Sequence, residues 1–293
     1  SVPENEGGFE APEFSTHGIG GQNKFALATL EDNFQTDLNV YGNVNLAVEI
    51  IDGLTAKLNF GTEYINTRVF AFRPTWFMST SDAVDNVNAE NDLTDARWTS
   101  LLTLFEPTVN YNKTFGDNSS INITAGFTQQ RNQFSSVGVY LQGTPNNDIQ
   151  VVGAGNPSGV QNLLGENISS ALRSVFGRVN YVHRDRLLLS GTIRRDASSK
   201  FAPDFRVGYF PSGSIGYKII NSNSSISNTI TALKVRAGYG QLGSQNIPDY
   251  AYQSVFNLTS STSVNNQIVQ GYAQTSLALE DLQWETAITT NIG

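Results

Sequence analysis

Residues 233–243 read LKVRAGYGQLG, with Gly238, Gly240 and Gly243 in the spacing of a dinucleotide-binding fingerprint directly after a run of strand character. That fingerprint needs a helix to begin at its third glycine, because the free N–H groups of a helix N-terminus hold the phosphate. Gly243 leads instead into Ser244-Gln245-Asn246-Ile247-Pro248-Asp249, with a proline where a second helical turn has to form. The acidic residue that would take a ribose about 20 positions on is missing as well. The glycines therefore belong to the strand itself. Along it Leu233, Val235, Ala237 and Tyr239 alternate with Lys234, Arg236, Gly238 and Gly240, one face apolar and the other cationic or bare.

The rest of the chain repeats this alternation. Leu38, Val40, Gly42, Val44, Leu46, Val48 and Ile50 face away from Asn39, Tyr41, Asn43, Asn45, Ala47 and Glu49, and Asp52-Gly53 then marks a tight turn. Leu54, Ala56, Leu58, Phe60 and Tyr64 continue the apolar face on the return strand. A second hairpin turns at Gly116-Asp117-Asn118, and a third, Val175 to Ile193, turns at Arg184-Asp185. A fourth joins a strand carrying Ile215, Tyr217 and Ile219 to the run at 233–240, and a last strand is expected from Trp284 to Gly293. Long connections are expected at 73–95, 136–170 and 241–282, against tight ones near 52, 117 and 185 and a modest one near 225. The connection at 199–205 is short for its side.

Short turns on one side, long loops on the other and alternating strands are the pattern of an outer-membrane barrel. Tyr111, Tyr181 and Tyr217 sit on the apolar face shortly before short turns, where an interfacial aromatic girdle falls; ordinary packing in a soluble sheet is the alternative. The opposite face carries Lys57, Glu63, Arg178, Arg194, Lys234 and Arg236, which a dry core does not accept without a partner for each. A wet or plugged interior does. Gly238 and Gly240 then keep the interior face low near the outer end of their strand, and Gly243 is expected to release the chain into a loop.

Composition narrows the function. The chain has 293 residues, 15% charged, a net charge of −8 and no cysteine. A disulfide scaffold, a thiolate metal site and a cysteine nucleophile are excluded. The negative balance argues against nucleic acid, which needs clustered Lys and Arg. Twelve of the 26 acids fall in residues 1–37 and 82–95, which places the acidity largely outside the expected strands. No window approaches the roughly 18 apolar residues of a spanning helix, which leaves a spanning barrel open.

Candidate chemistry is sparse. His17 and His183 are far apart in sequence, and His183 beside the Arg184-Asp185 turn reads as an interfacial residue. Asp82, Asp85, Glu90, Asp92 and Asp95 lack the calcium-loop spacing and read as a solvated loop, so no metal and no cofactor are expected. Trp76, Phe77, Tyr250, Tyr252 and Phe256 fall in or near long loops, where aromatic faces stack on sugars or peptide side chains or pack structurally. Arg178, Arg194, Lys234 and Arg236 are the interior candidates, contacting either an anionic or hydroxyl-rich ligand or carboxylates of a plug. The glycosylation triplets at Asn112, Asn122 and Asn257 read as chance matches, two of them on or beside strands.

Three stretches, RRDASSKFAPDFRVGYFPSGSIGYKI (194–219), LKVRAGYGQLGSQNIPDYAY (233–252) and LEDLQWETAITTNIG (279–293), resemble in order and spacing the barrel signatures of SusC/RagA-type TonB-dependent outer-membrane transporters. The chain departs from that pattern at Ala197, Tyr217, Gly238, Leu242, Ser244 and Leu279-Glu280, none of which removes a catalytic group. The resemblance implies an all-β fold, an antiparallel transmembrane barrel of about 22 strands filled by a plug. About nine or ten strands are readable here, so 1–293 is expected to be an internal barrel segment without plug, TonB box, N-terminal extension or C-terminal strands, cut from a longer natural polypeptide. It further implies no enzyme, but TonB-dependent uptake of oligosaccharide or peptide across the outer membrane under a SusD-like lipoprotein lid. The alternatives are a barrel of another class, enzyme or adhesin, and a soluble β-rich surface protein. The two histidines offer little for an enzyme's nucleophile and base, and a sandwich calls for strands near five or six residues.

Overall fold

The computed structural model describes residues 28–78, 86–116, 118–220, 232–264 and 267–293. The first strands are β1 (Asp32–Ile51) and β2 (Leu54–Arg73), followed by the short β3 (Trp76–Met78) and β4 (Asn86–Asn88). Then come β5 (Asp92–Phe115), β6 (Ser119–Gln142), β7 (Val160–His183), β8 (Leu187–Ser198) and β9 (Val207–Ile220). The chain closes with β10 (Leu233–Ser244), β11 (Val255–Val264), β12 (Gln267–Ser276) and β13 (Glu285–Ile292). Nine of these form one sheet in the order β1-β2-β5-β6-β7-β8-β9-β10-β13, while β3-β4 and β11-β12 are separate two-stranded ribbons.

The chain divides into two compact units, residues 1–40, 63–101 and 133–168 in one and 41–62, 102–132 and 169–293 in the other. The second contains a part of every strand in the nine-stranded sheet. Its registers show why the sequence alternates. One row across β7 to β10 and β13 reads Tyr181, Leu189, Ile215, Ala237, Ile292; the neighbouring row reads Asn180, Ser190, Ser214, Gly238, Asn291. Side chains of successive residues leave opposite faces, so a register fixed once sorts every row into apolar or polar.

The apolar rows are open to solvent. Ile193 is 56% exposed, Ile215 50%, Val235 49% and Ile292 80%, and Val44, Leu46, Val48 and Ile50 on β1 are similarly bare. Burying one such side chain is worth about 1.5–3 kcal/mol, and a water-soluble sheet does not forgo that along a whole face. Lipid supplies the missing partner.

In the other unit Phe70, Phe72, Leu93 and Leu141 form a small buried core with Val139 against it. Arg68 donates to Asp95 at 3.0 and 2.8 Å and lies over the stacked rings of Phe34 and Phe70. Asp92, almost fully buried, accepts from Tyr140 at 3.0 Å and from Gln142 at 2.7 Å and pairs with Arg73 at 3.1 Å.

Several sequence expectations need correcting. The strands β5, β6 and β7 run 24 residues each, so the expected 136–170 loop shrinks to 143–159. The 73–95 stretch holds the β3-β4 ribbon and the start of β5, and 241–282 holds the end of β10 and the β11-β12 ribbon. Pairing carries these polar stretches, which lack the strict alternation that marks membrane strands. Asp32, Asp37, Asp92 and Asp95 accordingly lie within strands rather than outside them. The turns at Gly53 and Arg184-Asp185 stand as expected, with φ of 77° at Gly53 and 52° at both Arg184 and Asp185. At Gly53 a side chain would also run into the Asn112 carbonyl, whose own N–H donates to Gly53 O at 2.7 Å.

Candidate functional site

The polar face of the nine-stranded sheet is a lattice of amide and hydroxyl groups. Asn43 donates to Asn59 at 2.7 Å, and Asn59 and Thr128 donate to Glu106 at 3.4 and 3.1 Å. Asn122 donates to Asn110 at 2.7 Å, Asn110 to Thr124 at 2.9 Å and Asn180 to Asn122 at 3.2 Å. Cross-strand pairs of short polar side chains satisfy one another while remaining wettable. His183 lies on the opposite face beside its turn, its Nδ1 2.7 Å from Ser119 Oγ and its ring stacked with Tyr181. His17, Asp82 and Asp85 lie outside the described residues.

The four expected interior cations separate into different roles. Lys234 and Arg236 line one recess with Asn180, Ser190, Ser214 and Asn291, floored by Gly216 and Gly238. Arg178 reaches along its own strand to Asn180 Oδ1 at 3.3 Å. Arg194 is committed locally: its Nε donates to Asp196 at 2.7 Å, its second nitrogen to Ser174 at 2.8 Å, and its plane lies over Phe176. Asp196 and Ser174 are both buried, so the ion pair with Asp196, on the same strand, fixes the guanidinium and its bond to Ser174 joins β8 to β7.

The aromatic candidates make separate local contacts within their own units. Trp76 is 5% exposed within β3, and its indole N–H has no partner among the described residues. Phe77 pairs with Val87 across the same ribbon. Tyr250, with a φ of 58°, accepts from the Ser169 N–H at 3.0 Å and donates to the Ser169 carbonyl at 3.1 Å. Tyr252 is half-buried in the following turn, and Phe256 at the start of β11 is 57% exposed. In Tyr250 the polar end is already occupied; Phe256 offers an open face.

A feature the sequence reading missed is an aromatic knot built from all three quoted motif stretches. Phe201 and Phe210 pack on Trp284, with ring centroids 5.0 and 5.4 Å away. Trp284 Nε1 donates to the Arg206 carbonyl at 3.0 Å, and Arg206 Nε donates to the Phe201 carbonyl at 3.1 Å. Lys200 donates to the Ile247 carbonyl at 2.9 Å. Gly243 belongs here: it lies inside β10, paired with Thr286, and a side chain on it would collide with the Phe210 ring. It does not release the chain into a loop. Gly238 and Gly240 differ, since a Cβ on either would meet Ser214 or Ser212 at 3.6 or 3.5 Å, ordinary contact. The bareness of Gly238 shapes the recess, and packing demands neither glycine.

A sheet with one face of exposed apolar rows and another of hydrogen-bonded amides is the wall of a membrane β-barrel, here a partial one. No family model matches the chain. It is 31% identical over 275 residues to TonB-dependent receptor P3 of Formosa agariphila, covering 92% of this chain and 26% of that protein. It is 39% identical over 134 residues to TonB-dependent receptor SusC of Bacteroides thetaiotaomicron, covering 42% of this chain and 13% of that protein. The fold superposes on a chain of the RagAB peptide transporter with a TM-score of 0.83 at 19% identity, over 97% of this chain and 31% of that one. The chain belongs to the SusC/RagA-type TonB-dependent receptors of the outer membrane and spans about a quarter of the length of the first curated relatives it matches.

Proposed function

We propose that the chain is a segment of the barrel wall of an importer that takes up oligosaccharide or peptide across the outer membrane, driven by TonB, with a SusD-like surface lipoprotein as lid. The observation that carries this reading is the two-faced nine-stranded sheet: lipid covers the apolar rows, and the amide-lined face borders a wet interior through which a polar solute moves. The relatives' names supply TonB dependence, and the RagAB likeness supplies peptide as a cargo class beside the glycan. On this reading the plug, the TonB box and the remaining strands belong to parts of the polypeptide outside 1–293, and capture occurs at the outer mouth between loops and lid. Phe256 is the loop aromatic with the most surface left to offer there.

The test is uptake of labelled oligosaccharides and oligopeptides by cells carrying or lacking the gene, with and without a functional TonB. Gene- and TonB-dependent accumulation of one cargo class is the expected result. Accumulation that ignores TonB would leave a passive pore or another barrel class. Purification from outer membranes in mild detergent should bring a tightly bound lipoprotein with a natural chain well above 31.9 kDa; a lone species of that mass would remove the lid and the plug from the account.

A further inference from the structure

The recess around β10 holds two cations that no carboxylate among the described residues neutralises. Lys234 and Arg236 stand two residues apart on one strand, so their side chains leave the same face from Cα atoms about 7 Å apart. Backbone bonds fix this part of the strand, with Arg236 N donating to Gly293 O at 2.7 Å and Gly293 N to Arg236 O at 3.0 Å. Glycines on both neighbours make room for the stems. A Cβ at Gly216 on β9 would stand 2.9 Å from Lys234 Cε, and one at Gly293, just past β13, 3.1 Å from Arg236 Nε. The lysine therefore leans over one neighbouring strand and the arginine over the other, and the row Ser214, Gly238, Asn291 lies beside them, two residues further along β10.

Among the described residues neither cation has an ion pair, and no Asp or Glu lines the recess. Lys218, opposite Lys234 in register, is already paired with Asp185 at 2.7 Å. In a chain with net charge −8, two unpaired cations beside neutral amides and hydroxyls make a local charge that an oxyanion complements. A guanidinium fork grips two oxygens in one plane, an ammonium adds a point charge, and Asn180, Ser190, Ser214 and Asn291 supply neutral donors. We propose that Lys234 and Arg236 form a binding site for a carboxylate on this face, which rests on the reading of the face as a wet interior. The carboxylate comes either from an Asp or Glu side chain of the polypeptide or from a solute in the interior.

The experiment uses the full-length natural protein in detergent. A water-soluble carbodiimide, which joins an amine directly to a touching carboxylate, is followed by peptide mass spectrometry; in parallel, the acetylation rate of Lys234 is measured with succinate, succinamide or inorganic phosphate at matched ionic strength. Exposed Lys113 on β5 is the internal control. Lys234 joined to an Asp or Glu of the protein, and not so joined in Arg236→Ala, supports the site with a side-chain source. Acetylation slowed several-fold by succinate but not succinamide, at Lys234 and not Lys113, supports it with a solute source. Absence of both effects overturns the proposal, as does slowing by phosphate alone or slowing that survives Arg236→Ala. Failure of TonB-driven uptake in cells would leave this labelling pattern unchanged, so the two readings fail separately.

Discussion

The indole N–H of Trp284 donates to the carbonyl of Arg206 at 3.0 Å across a sequence separation of 78 residues. This one bond ties the strand-end segment before β9 to the approach to β13, over the rings of Phe201 and Phe210. Trp284→Ala removes both the packing and the donor of this half-buried ring, and a loss below the roughly 3–5 kcal/mol of a fully buried tryptophan is expected. Thermal unfolding of the detergent-solubilised full-length protein, read on gels by the mobility shift of folded barrel, measures it.

Glycine substitution separates packing from recess shape. Gly243→Ala drives a methyl into the Phe210 ring and should destabilise by about 1–3 kcal/mol, the usual range for overpacking. Gly238→Ala and Gly240→Ala meet only ordinary contacts and should melt close to wild type. Equal melting of all three variants would contradict the close approach at Gly243.

The two faces predict opposite tolerance to charge. Ile215→Arg places a guanidinium among exposed apolar rows and is expected to cost up to about 2–4 kcal/mol, least if the site is near an interface. Thr289→Lys, in the polar row beside Gly240, should assemble normally. The amount of folded protein recovered from outer membranes compares them.

Arg194 is expected to act on stability rather than on uptake. Arg194→Ala leaves Asp196, 7% exposed, without its cationic partner, at a cost of about 1–3 kcal/mol for an unsatisfied buried group. Cargo uptake per folded molecule should be unchanged. A drop in uptake with normal melting would move Arg194 into the transport path.

Asp37 gives a pH signature outside the stretch of β1 nearest its turn. The Thr67 hydroxyl donates to it at 2.6 Å, and this bond, with a second from Gln35, holds its carboxyl below the usual carboxylate range against a smaller opposing effect of burial. A depressed folded-state value stabilises the protein above the ordinary carboxylate pKa and loses that contribution as pH falls through the depressed value. Thr67→Val should therefore lower the melting temperature at neutral pH and narrow its gap to wild type towards pH 3. A gap that stays constant with pH would mean that Thr67 acts by packing.

The sequence by itself determined the strand faces and the turns. Alternation has a period of two, the same as the backbone, so Leu233 to Tyr239 declared its apolar side without help from any other strand. Asp52-Gly53 and Arg184-Asp185 were legible because their backbone conformations are local, as the positive φ values show. The length of β5, β6 and β7 was not legible, since polar stretches such as 133–142 and 160–168 become strands through neighbours that pair with them. The role of Gly243 and the partition of the four cations were likewise settled by tertiary structure alone. A steric demand from Phe210, the bond of Arg194 to Ser174 and the recess around Lys234 and Arg236 each depend on which residues of other strands arrive alongside, and register across the sheet fixes that.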